Sequence, residues 1–115
     1  MNKLKSLFLV SLLTPLVAVA QKLPDIMGTI PNDAGGLIIF TTNKVKECKP
    51  EEIFVYTKDK TGRVGMVGCY SFLGEDIVVR YHDGSVYSYH IGYLQMNPDF
   101  ERFLQSREQR QSPST

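Results

Sequence analysis

One dipeptide constrains this chain more than any other feature. Asp83-Gly84 stands between two runs, 76–82 (DIVVRYH) and 85–91 (SVYSYHI), that are rich in β-branched and aromatic residues. Such residues fit the pleated, half-buried surface of a sheet. Asp-Gly suits a two-residue type I′ turn, in which both central residues take positive φ. The combination predicts a β-hairpin with Asp83 and Gly84 as its turn. In that register Tyr81 opposes Val86, Arg80 opposes Tyr87, Val79 opposes Ser88 and Ile77 opposes His90. One face carries Ile77, Val79, Tyr81 and Val86 and should point inward. The other carries Val78, Arg80, Tyr87 and Tyr89. Neither face is cleanly polar, whereas a flat sheet wetted on one side alternates better. A small, strongly curved barrel that wraps part of each face accounts for the pattern.

The preceding chain supplies further strands. LIIFTT (37–42), IFVYT (53–57) and RVGMVGCY (63–70) are short runs of strand character, separated by the polar segment 43–52 and the turn cluster KDKTG. Gly65 and Gly68 lie inside the third run, where glycine marks a bulge or a close backbone approach. Five strands at spacings of roughly ten residues have the rhythm of an all-β sandwich or barrel. The predicted fold is mainly β, a small five-stranded SH3-like or OB-like barrel with a short C-terminal helix. The helix signal is Asn97 as cap, Pro98 at the first position, and Asp99 and Glu101 at the positive end of the dipole. Phe100, Phe103 and Leu104 make one apolar face, suited to plugging an open end of the barrel. Segment 21–33, with Pro24, Gly28 and Pro31, is expected to be an extended arm. The domain then covers 34–105, and the polar tail 106–115 is expected to be disordered.

The first twenty residues have another purpose. Lys3 and Lys5 precede an almost wholly apolar run, Ser6 to Val19, that ends in Ala18-Val19-Ala20. A basic start, an apolar middle and small residues at the cleavage positions define a secretory signal peptide. The run is shorter than the roughly 20 residues a membrane span needs, and Pro15 interrupts it. The expected product is periplasmic or secreted, begins at Gln21 and keeps no stable membrane span. Removing Lys3 and Lys5 leaves eleven basic residues against twelve acidic ones. So even a balance argues against nucleic acid, whose binders carry a basic stripe.

A domain this small benefits from a covalent staple. Cys48 and Cys69 are the only cysteines, and both follow the cleavage site. In an exported chain they predict one disulfide, closing a loop of about 20 residues. A structural zinc site would need about four ligands. His82 and His90 are the only histidines, and the proposed hairpin puts them on opposite faces. No metal or cofactor is expected.

No catalytic constellation is visible. The chain has no G-x-S-x-G and no Gly-rich phosphate loop. Asp83, next to His82, reads as a turn residue rather than a catalytic orienter. The tyrosines stand out more, five of the six lying between 70 and 93. They serve either as core packing or as a binding face. The candidate face is Arg80, Tyr87 and Tyr89, since interfaces favour Tyr and Arg.

Gly35-Gly36-Leu-Ile-Ile-Phe-Thr, Cys48, Gly68-Cys69-Tyr70 and Val79-Arg80-Tyr81-His82-Asp83-Gly84 together resemble a group of small exported proteins of tailed phages and proteobacteria. That group pairs Gly-Cys-aromatic with an aromatic-x-Asp-Gly turn, often with tryptophan where tyrosine stands here. The resemblance covers about residues 31 to 91. It implies a phage or prophage setting and brings no activity with it. Two functions follow as expectations. One is a small β binding module that engages an envelope protein or cell-wall component, altering the envelope or excluding a second infection. The other is a small hydrolase acting on the cell wall.

Overall fold

The computed structural model describes residues 23–111. The signal-peptide reading lies outside the described residues, as does the end of the tail. Seven strands form one antiparallel sheet: β1 (Ile26–Pro31), β2 (Leu37–Thr41), β3 (Ile53–Lys58), β4 (Val64–Leu73), β5 (Asp76–Tyr81), β6 (Val86–His90) and β7 (Gln95–Met96). Their spatial order is β6-β5-β4-β3-β2-β1-β7. A 3₁₀ turn, Ile91–Tyr93, joins β6 to β7, and helix α1 (Pro98–Gln111) ends the chain. The sheet curls into a half-barrel. It is a meander whose last short strand returns beside the first, so seven strands replace the expected five. The OB fold by contrast is a Greek-key barrel.

Two expected segments differ from the structure. The arm 21–33 contains β1, which pairs with β2 over Ile26–Pro31 and with β7 at Gly28 and Thr29. Its prolines do not prevent this. Asn32 N–H bonds the Gly36 carbonyl, so by antiparallel alternation the nitrogen of Pro31 points away from β2. The missing N–H therefore removes no bond of the β1–β2 ladder. The tail 106–115 begins as helix, because α1 runs on to Gln111. At the start of α1 the Asn97 carboxamide oxygen accepts from Asp99 N–H at 3.2 Å, and its amide donates to the Ile26 carbonyl at 2.8 Å. The cap thus also ties the helix to β1. No helix among the described residues is long and apolar enough to cross a membrane.

Alternate residues of the sheet fill the inside of the curl. Phe40, Val55, Ile77 and Val79 are fully buried there, beside Tyr70, Tyr81, Ile30, Ile38 and Met27. Phe100 of α1 packs against this cluster. Phe40 and Tyr70 meet edge to face at 5.1 Å, an arrangement the ring quadrupoles favour. The Tyr70 hydroxyl donates to the Thr41 carbonyl at 2.6 Å, which satisfies a polar atom that would otherwise be costly to bury. Gly68 sits where the curl is tight. A Cβ there would press on the Arg80 carbonyl oxygen and come within 2.9 Å of Tyr81 Cα. The close backbone approach read from this glycine is present.

Candidate functional site

The β5–β6 hairpin decides which side chains can act together, and its register is one residue away from the two-residue expectation. Ile77 pairs with Tyr89, Val79 with Tyr87 and Arg80 with Val86. Tyr81 N–H donates to the Ser85 carbonyl, and Gly84 N–H donates to the Tyr81 carbonyl. The loop is therefore three residues, His82-Asp83-Gly84, with Gly84 in the left-handed position at φ 92°. No non-glycine residue among those described has positive φ, so Asp83 does not adopt the type I′ geometry. A turn followed by a left-handed glycine bulge is the usual three-residue alternative. Asp83 still shapes it, accepting from Ser85 N–H and the Ser85 hydroxyl. The Ser85 hydroxyl holds the Asp83 carboxyl below its ordinary range. With its carboxylate committed to the turn, Asp83 does not orient His82.

One residue of register exchanges the faces of a strand. Tyr87 and Tyr89 therefore join Ile77, Val79 and Tyr81 on the inner face, and Val86 turns outward. Arg80 remains on the outer face. The proposed trio of Arg80, Tyr87 and Tyr89 is thus split across the sheet. Each part belongs to a different surface.

The outer surface is built on Arg80. The covering segment 42–52 crosses the back of the sheet and is fastened at two adjacent points. Cys48 is disulfide-bonded to Cys69, with Cα atoms 5.6 Å apart. Cys69 and Arg80 are cross-strand neighbours. Arg80 Nη2 donates to Glu52 Oε1 at 2.7 Å, and Nε lies 3.4 Å from Oε2. Glu52 Oε1 also accepts from Lys49 N–H at 2.9 Å. The Arg80 hydrogen bond pulls the Glu52 carboxyl below its ordinary range, against the opposing effect of burial. Arg80 is thus a loop anchor. A pocket of about 360 Å³ remains between the segment and the sheet, lined by Val45, Phe54, Val67, Arg80 and His82 among others. Cys48, Glu52 and Cys69 are the three-residue group of metal-ligating types among the described residues. Two of its ligands are disulfide sulfurs, which are not thiolates.

This ion pair carries a pH prediction. A carboxyl whose folded pKa is depressed adds stability above its unfolded pKa, and that stability is lost as pH falls through the folded value. Glu52→Gln should therefore flatten the acid limb of the melting-temperature profile and leave the neutral-to-alkaline slope unchanged. An acid limb identical to the wild type would show that the pair adds nothing.

The inner surface opens at the seam where β6 and β1 face each other across the curl. A cleft of about 560 Å³ lies there, lined by Ile30, Pro31, Asn32, Asp33, Ile38, Tyr87, Tyr89, Tyr93 and Gln95. Tyr87 and Tyr89 stack at 6.4 Å with a 29° interplanar angle. Tyr87 is 52% exposed and Tyr93 71% exposed. Asn32 caps the β1–β2 loop, its carboxamide oxygen accepting from Gly36 N–H at 2.8 Å. Tyr70 and Tyr81, by contrast, are core. Burial raises both of their hydroxyl pKa values well above the ordinary tyrosine range. Tyr93, Asn32 and Gln95 were not apparent as partners in the sequence. Tyr93 and Gln95 reach the cleft through the return of β7 beside β1, and Asn32 through the pairing of β1 with β2.

The fold and site define a class: a disulfide-stapled antiparallel half-barrel with an aromatic cleft at its open seam. Neither a family model nor a curated protein nor a solved structure matches the chain.

Proposed function

We propose that this protein is an exported binding module of the bacterial envelope, with the tyrosine cleft at the open seam as its binding site. The exposure of Tyr87 and Tyr93 beside a cleft is the observation that carries this reading. Exposed aromatic surface grouped at a concavity is the usual setting of a ligand or partner site. The disulfide fits an oxidising compartment. The ligand is an envelope protein or a cell-wall component, bound on an open β surface in the manner of small SH3-like and OB-like barrels. The phage or prophage setting implied by the resemblance would give such a module a use in envelope alteration or superinfection exclusion. The hydrolase reading has less support. Among the described residues Asp33 is the one carboxylate lining the cleft, and glycoside hydrolysis ordinarily uses two.

Tyr87→Ala tests the proposal. Truncating an interface anchor weakens binding by about 2 kcal/mol or more. Tyr87 is half exposed, so its melting temperature should stay near the wild type. Binding is measured against purified peptidoglycan and against periplasmic extract, with the mature protein confirmed by mass spectrometry to begin at Gln21. Retained binding, or a large drop in melting temperature, would return Tyr87 to a packing role.

A further inference from the structure

Strand β6 forms one edge of the sheet and lacks the devices that keep edges apart. Val86–His90 contains no Pro, Lys, Arg, Asp or Glu, and its pairing with β5 is unbroken by a bulge. Bare edges of this kind pair with another strand. Two hydrogen bonds define what the edge offers. Tyr81 N–H donates to Ser85 O, and Ile91 N–H donates to Glu75 O. Antiparallel alternation between these ends commits the backbone groups of Tyr87 and Tyr89 to β5. The N–H and C=O groups of Val86, Ser88 and His90 then point outward.

The strand is also nearly symmetric about its centre. Tyrosines flank Ser88 on both sides, with Val86 and His90 beyond them. We infer that two copies of this chain pair along β6, antiparallel, about a two-fold axis through Ser88. Ser88 then faces Ser88 of the second copy in a hydrogen-bonded pair. Val86 faces His90 of the second copy, so every outward N–H on the strand meets a carbonyl. Tyr87 faces Tyr89 of the second copy at the non-hydrogen-bonded positions, where side chains approach most closely and aromatic pairs favour association. No like charges meet on this axis. At the end of the strand His90 Nε2 lies 3.5 Å from the Glu75 carboxylate. The axis of an antiparallel strand pair is perpendicular to the sheet, so both inner faces look the same way. The two tyrosine clefts thereby become neighbours on one continuous sheet. The inference rests on the edge and its sequence, and does not depend on what the clefts bind.

Sedimentation of the disulfide-intact protein across micromolar and higher concentrations tests it. The expected result is reversible doubling of mass, and a single-chain mass at every concentration would overturn the inference. Ser88 is exposed on the outer face, so Ser88→Lys and Ser88→Glu should each fold and each remain monomeric, because like charges then meet at the axis. An equimolar mixture of the two variants should regain the doubled mass, since position 88 meets only its own counterpart. A dimer indifferent to Ser88→Lys, or a mixture that stays monomeric, would exclude β6 pairing.

Discussion

Gly68→Ala is expected to destabilise the domain by about 3 kcal/mol or more, the upper end of what overpacking produces. The added Cβ has nowhere to go. Its neighbours are backbone atoms of β5, the Arg80 carbonyl and Tyr81 Cα, and neither can rotate away. Relief requires β4 and β5 to separate where Gly68 pairs with Tyr81, which opens the curl and disturbs the buried Tyr81 ring. Gly65 in the same strand provides the control. A Cβ there would meet only the Thr57 hydroxyl oxygen, at 2.9 Å, and that side chain can turn away by giving up the bond it accepts from Met66 N–H. Gly65→Ala should therefore cost about 1 kcal/mol, the net worth of one such hydrogen bond, offset in part by the lower chain entropy of alanine. Urea unfolding of the two variants beside the wild type measures both. Equal losses would mean that the tight curl at Gly68 is not a constraint.

Loss of the disulfide is the second large effect. Cys48→Ser with Cys69→Ser, or reduction of the native protein, should lower stability by about 3 kcal/mol, within the 2 to 5 found for small secreted domains. The bond closes a loop with a sequence separation of 21, and the restricted unfolded chain supplies most of the effect in the entropic description. A local consequence should appear as well. The segment 42–52 would then be held chiefly by the Glu52–Arg80 pair and by backbone bonds such as Phe54 N–H to Asn43 O. Trypsin should cut at Lys44 or Lys46 faster than in the oxidised protein while the strands remain protected. An unchanged urea midpoint in reductant would contradict the role assigned to this bond. Unchanged cleavage with a lowered midpoint would confine the effect to the unfolded state.

The two effects have different histories in the sequence. Two cysteines in a chain read as exported leave one pairing, so Cys48–Cys69 needed only counting. Gly68 was legible as a close approach because glycine inside a β-branched run has few other uses. What it approaches was not legible, because that depends on the curl of the neighbouring strand.

Local chemistry by itself determined the strands from 37 to 90, the loop at Asp83-Gly84 and the Asn97-Pro98 helix start. Each is set by residues a few positions apart, through propensity, periodicity or capping. The tertiary structure decided the rest. Segment 26–31 becomes β1 because β2 and β7 lie on either side of it, and Pro31 falls where its missing N–H is harmless. A two-residue Gln95–Met96 strand has no local signature at all. Arg80 finds Glu52 across 28 positions, and nothing local distinguishes Glu52 from Glu51. The register of the hairpin is the plainest case. A left-handed glycine at position 84 serves a two-residue type I′ turn and a three-residue bulged turn equally well, so Asp-Gly cannot choose between them. The three-residue loop places Tyr89 against the core cluster and leaves Val86 in solvent. The larger aromatic surface gains more by leaving water, and that difference exists only once the sheet has curled.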